Sequence, residues 1–112
     1  MPLSDWSENI VIGEMTDEPT LGDELKLLLT RAEMKQVDLH FVLDMRGVTY
    51  LNSSNIAQLL QLRKTLVAAK GSLHLCGVND AVWSILLMTG LDRLFKFTDD
   101  VPTALAAAQL GL

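Results

Sequence analysis

Apolar positions along this chain fall into two alternating rhythms, one of period two and one of period three to four. The stretch 9–15 (NIVIGEM) reads as a strand that ends in the polar turn Thr16–Asp17–Glu18–Pro19. Leu21, Leu25, Leu28 and Leu29 then recur at helical spacing, with Asp23 and Glu24 in the first turn. Residues 38–45 form the clearest strand, with Leu39, Phe41, Leu43 and Met45 on one face and His40, Val42 and Asp44 on the other. After the turn at 46–49 a second helix is expected, with Ile56, Leu59, Leu60, Leu66 and Val67 on its buried side and a stop at Lys70–Gly71. A strand at 72–78 alternates Leu73 and Leu75 against His74 and Cys76. A third helix, capped by Asn79–Asp80, runs through Val82, Ile85, Leu86 and Met88 to a stop near Gly90. Residues 94–97 suggest a short edge strand. Thr98–Asp99–Asp100 then caps a final Ala-rich helix at 101–110, with Pro102 in its first turn.

Strands separated by helices of this length must lie largely parallel, because each helix returns the chain to the same end of the sheet. Right-handed crossovers put most of the helices on one side unless the strand order reverses. The fold class is α/β. No repeat, linker or low-complexity tract interrupts the pattern.

At 112 residues, with 49% hydrophobic and 21% charged positions, the chain has the size and balance of one globular domain. A net charge of −5 and nine scattered basic residues leave no basic stripe to neutralise phosphates, so a nucleic-acid partner is not expected. The lone Cys76 excludes an intramolecular disulfide and suits a reducing compartment. The opening MPLSDWSEN lacks the pattern of a signal peptide, and AVWSILLMTGL falls short of the roughly 20 residues a bilayer span needs. The expectation is a cytoplasmic protein without a membrane partner. Trp6 is the only large apolar group of the lead-in and is expected to fold back onto the sheet.

Enzyme chemistries lack their parts. Gly13 stands alone and Glu14 follows it, so no phosphate-cradling loop is built there. Both histidines sit mid-strand, away from the serine pair at 53–54, which speaks against a Ser–His–acid triad. Asp44 has no acidic companion after the first strand, as a phosphoacceptor aspartate would need. His40, His74 and Cys76 share a face and could begin a zinc site, but no fourth ligand stands at an obvious spacing. The preferred reading is that they occupy the more exposed face of a sheet covered mainly on its other side. No catalytic residue, metal or cofactor is assigned.

The densest chemistry lies in Asn52–Ser53–Ser54–Asn55, where a strand hands over to a helix. Hydroxyls there can cap the helix, bind an anion or accept a phosphoryl group, since all three uses rest on unpaired N–H groups at the positive end of the dipole. Capping is worth about 1 kcal/mol. A phosphoserine would bring about −1.5 to −2 charges, which a helix start can carry without unfolding.

LDMRGVTYL, NSSN, KGSLHLCGV, TGLDRLFKF and DVPTALAAA, in that order and spacing, resemble the STAS domain family of anti-sigma-factor antagonists over about residues 9–110. The resemblance implies a STAS-like single domain over 1–112, with 1–8 as lead-in. Its sheet would be mixed but mostly parallel, with four to five strands and about four helices. It also implies a non-enzymatic switch that binds an anti-sigma factor acting as a serine kinase, and that is released when the motif's first serine, Ser53, is phosphorylated. The partner-binding surface would then comprise Met15, Thr16 and Asp17 with Thr49, Asn52, Ser53, Ser54 and Asn55. A module that is not phosphorylated, serving interaction or small-ligand binding in a larger assembly, is the alternative, with Ser53 only a cap. Two positions depart from the family pattern. Asn52 replaces an aspartate, keeping a cap but losing a charge, and Asn55 replaces a glycine, adding a side chain where a partner would approach. The family usually opens with two strands, and residues 1–8 barely provide the first.

Overall fold

The alternation of strands and helices is present in the computed structural model, which describes residues 3–34 and 38–111. The strands are β1 (Leu3–Asp5), β2 (Ile10–Thr16), β3 (His40–Gly47), β4 (Ser72–Cys76) and β5 (Lys96–Thr98). The helices are α1 (Thr20–Met34), α2 (Ser53–Ala68), α3 (Asp80–Met88) and α4 (Val101–Leu110), with a short 3-10 turn at Leu91–Arg93. The sheet order is β1-β2-β3-β4-β5, with β1 antiparallel to β2 and every other pair parallel. The fold is therefore α/β with a five-stranded mixed sheet. Of the expected lead-in, Met1 and Pro2 lie outside the described residues, while Leu3–Asp5 forms the opening edge strand. Trp6 sits in the bend after it, 45% exposed.

Because strands follow one another across the sheet, the helices joining parallel neighbours pack on one face. Leu21, Leu25 and Leu28 of α1, Leu59, Leu62 and Leu66 of α2, and Val82 and Leu86 of α3 join Phe41, Leu43, Met45, Leu73 and Leu75 in one core. The stripe on α2 is narrower than the sequence suggests. Leu62 is buried, Ile56 and Leu60 are partly buried, and Val67 lies outside the stripe, 48% exposed. Met88, the last residue of α3, is 87% exposed because the chain turns away at Gly90. The expected strand at 94–97 is displaced by the 3-10 turn, and pairing begins only at Lys96.

The far face is not the open one that the pattern suggested. α4 lies across it, and Ala104 and Ala108, one turn apart, pack against Ile10, Val42 and Cys76 in a second, smaller core. Small side chains let a helix approach a sheet closely. His74 is consequently 1% exposed and Cys76 likewise buried. Central parallel strands are thus buried on both faces, as in sheets covered on two sides, although Asp44, Ser72 and His74 leave the far face partly polar.

At the end of α2 the left-handed residue is Lys70 (φ 64°), not the glycine beside it. Gly71 serves another need: a Cβ there would lie 2.0 Å from the Leu39 carbonyl oxygen. Its lack of a side chain is what lets α2 hand over to β4 against the start of β3.

Candidate functional site

The carboxyl ends of β2 and β3 project two loops toward each other. Val48 and Leu51 are buried and pin the β3–α2 loop, leaving Thr49 and Tyr50 exposed between them. The Asn79 side-chain amide donates to the Val48 carbonyl from the neighbouring loop. Leu51 is buried and Ile56 packs against the same core, the placement of a hydrophobic staple around a helix start.

The cap itself is Asn52. Its Oδ1 accepts the Asn55 N–H at 2.8 Å, and the Asn55 Oδ1 accepts the Asn52 N–H at 3.0 Å. This reciprocal box satisfies two amides at the helix start with side chains alone. Ser53 is therefore not the cap. Ser53 and Ser54 are the first two helical residues, both exposed, with no side-chain hydrogen bond among the described residues.

Asn55 does not project toward solvent. It is 1% exposed, and its Nδ2 donates to Glu18 Oε2 at 3.0 Å. The other Glu18 oxygen accepts the Gly22 N–H at 2.8 Å, in the first turn of α1. One carboxylate thus bridges the starts of two helices. The Gly22 N–H first, and the Asn55 amide second, hold its pKa below the ordinary value. Asp17 does similar work across the loops, accepting Thr49 Oγ1–H and Thr49 N–H at 2.7 Å each. The Thr49 hydroxyl is the main cause of its lowered pKa. Gln58 adds a tie from α2 to the Gly22 carbonyl at 3.0 Å.

Of the residues singled out in the sequence, Thr16, Asp17, Thr49, Asn52, Ser53 and Ser54 meet on this edge. Met15 belongs to it only from beneath, being 1% exposed, as does Asn55. Glu18 and Tyr50 also take part. Glu18 was read only as part of a polar turn, although a carboxylate four residues before a helical N–H is a recognisable N-terminal signal. Tyr50, 63% exposed between two buried neighbours, supplies the large aromatic surface of the edge. With Asp17 and Glu18 close by and no basic residue in the first turn of α2, the surroundings of Ser53 are acidic.

His40, His74 and Cys76 do not assemble a metal centre. The two imidazoles are bridged by Ser72 Oγ, at 2.7 Å from His40 Nδ1 and 2.9 Å from His74 Nε2, and the Cys76 thiol donates to the Leu43 carbonyl at 3.3 Å. Burial pushes the thiol up to about 11, away from the thiolate a metal would need. Among the described residues no group of three His, Cys, Asp or Glu could hold a metal ion, and no helix is long and apolar enough to cross a membrane.

A sequential, mostly parallel sheet with three helices on one face and one on the other, and two locked loops before α2, defines a small α/β module of the STAS kind. A family model for the STAS domain matches residues 20–104, and the chain belongs to that family. Its fold is similar to an anti-sigma-factor antagonist (STAS) domain protein from Planctomyces limnophilus, at 19% identity over 96% of each chain and a TM-score of 0.81. It is also similar to a sulfate transporter family protein from Wolinella succinogenes, at 23% identity over 96% of this chain and 91% of that one, TM-score 0.75. The anti-sigma factor antagonist SpoIIAA in its unphosphorylated form matches at 13% identity over 98% and 97%, TM-score 0.72. The phosphorylated form of SpoIIAA, a Bacillus cell fate determinant, matches at 14% over 96% of each chain, TM-score 0.70.

Proposed function

We propose that this protein is a non-enzymatic anti-sigma-factor antagonist: it binds an anti-sigma factor that is also a serine kinase, in a bacterial cytoplasm, and phosphorylation of Ser53 ends the binding. The observation that carries this reading is the freedom of Ser53. Asn52 and Asn55 satisfy the helix start between themselves, so the Ser53 hydroxyl is exposed and has no structural task. A phosphoryl group there would meet the positive end of α2, which favours it, and the nearby Asp17 and Glu18 carboxylates, which repel it. The domain would stay folded while its edge gained about −2 charges. A partner docked on Thr16, Thr49, Tyr50 and Ser54 would then face a different electrostatic surface.

A second reading keeps the same edge as a docking surface that is never phosphorylated. It draws on Asn52 and Asn55, which depart from the Asp and Gly of the family pattern. Phosphosite mapping of the protein isolated from its own cells separates the two, combined with affinity capture on wild-type and Ser53→Asp baits. A kinase-type protein held by wild type and lost from Ser53→Asp, with phosphate mapped to Ser53, supports the switch. Unchanged capture by Ser53→Asp at an unchanged melting temperature refutes it.

A further inference from the structure

The opposite edge of the sheet carries a second concentration of polar chemistry. A groove of about 550 Å³ opens at the amino ends of β2, β3 and β4, beside the last turn of α4. Asn9, Asp38, His40, Lys70, Ser72 and Lys96 line it. Its volume falls within the range of small-molecule sites, and its polar lining suits a hydrophilic ligand rather than an apolar one.

Side-chain hydrogen bonds connect the floor. His40 Nε2 lies 2.7 Å from Asp38 Oδ1, and Asn9 Nδ2 donates to Asp38 Oδ2 at 3.0 Å. His40 Nδ1 reaches Ser72 Oγ, which in turn meets the buried His74. Both oxygens of the Asp38 carboxylate are thus engaged within the protein. Lys70 and Lys96 bring two ammonium groups to the same groove; Lys96 already has an interaction within the protein, whereas the Lys70 side chain has no hydrogen bond or ion pair among the described residues.

The backbone adds an independent sign. Asp38 (φ 57°) and Lys70 (φ 64°) are the two non-glycine residues described with left-handed backbone, and both line this groove. Lys70 stands just past the end of α2, where glycine is the usual residue because it adopts this conformation without a steric penalty. A lysine there is a local conflict, and such conflicts gather where a side chain is used. The neighbouring helix end does not already employ its charge: the Leu66, Val67 and Ala69 carbonyls accept backbone N–H groups from Gly71, Lys70 and Asp38.

We propose that this groove binds a small hydrophilic oxyanion, a phosphate- or carboxylate-bearing molecule, held by Lys70 and Lys96 over the Asn9–Asp38–His40–Ser72 floor. The site lies at the far end of the sheet from Ser53 and stands independently of the phosphorylation switch.

The test is an amide-shift NMR titration of the full chain with inorganic phosphate and, separately, with acetate, at constant ionic strength against sodium chloride. The expected result is a saturable response confined to Asn9, Lys70, Ser72, Lys96 and the end of α4 with at least one oxyanion. Phosphate alone, acetate alone or both would tell which head group is read. Lys70→Gly should weaken binding roughly tenfold or more, the loss of one charge-assisted contact, while its melting temperature stays equal or rises because the strained residue is gone. Lys96→Ala should weaken binding without affecting α2, and Ser53→Ala should bind as wild type. No saturable response, a response matched by chloride, or wild-type affinity in Lys70→Gly would each overturn the proposal.

Discussion

If Asn52 rather than Ser53 caps α2, then Asn52→Ala and Ser53→Ala must differ sharply in stability. Removing the Asn52 side chain deletes the acceptor of the Asn55 N–H, a 2.8 Å bond. Asn55 is 1% exposed, so water cannot readily replace the lost partner. That places the cost in the upper half of the measured range for cap removal, about 1.5 kcal/mol. The 3.4 Å contact from Asn52 Nδ2 to Glu18 is long and exposed and adds nothing to this figure. An unfolding entropy of about 2.1 cal/mol/K per residue gives about 0.24 kcal/mol per kelvin for 112 residues. The expected fall in melting temperature is therefore roughly 6 °C. Ser53→Ala, which removes an exposed hydroxyl with no partner, should stay within about 0.5 kcal/mol of wild type. Urea and thermal unfolding followed by circular dichroism measure both. A Ser53→Ala loss equal to or larger than that of Asn52→Ala would refute the assignment of the cap, and with it the argument that Ser53 is free for modification.

Two further outcomes follow from the packing. Burial, with Lys96 and His40 nearby, lowers the His74 pKa from 6.5 to about 4, so the native state resists a proton that the unfolded chain accepts. The stability tied to neutral His74 is fully present above pH 6.5 and is lost as the pH falls toward 4, by on the order of 3 kcal/mol. His74→Gln should flatten that slope in urea unfolding across the same window, and an unchanged slope would assign the loss to other groups. Gly71→Ala should cost about 3 kcal/mol or more, since the new Cβ meets the Leu39 carbonyl oxygen at 2.0 Å and that oxygen is backbone, which cannot swing aside as a side chain could. Gly13→Ala, whose nearest neighbour is the flexible end of Met15, should cost less in the same urea series.

What the sequence determined by itself was the set of elements and their order. Period-two and helical spacing are local properties, and so are cap and turn signals such as Asn79 before α3, Asp100 before α4 and the stop after α2. They placed four helices and the parallel strands, and with the ordered motifs they pointed to the family. The serine pair at the start of α2 was legible for the same reason. Tertiary structure decided what depended on partners distant in the chain. Periodicity shows that β3 and β4 have two faces but not that α4 covers the second, and so it left His74 and Cys76 on a surface when they are buried. The three-residue strand at Leu3–Asp5 was too short to announce itself and exists through its pairing with β2. At the site, composition made Asn52 and Ser53 equal candidates for the cap and turned Asn55 outward. The Glu18 carboxylate, 37 residues away in the chain, accepts a hydrogen bond from Asn55 and holds it inward. Local signals report what each segment can do, and only contacts between segments select among those options.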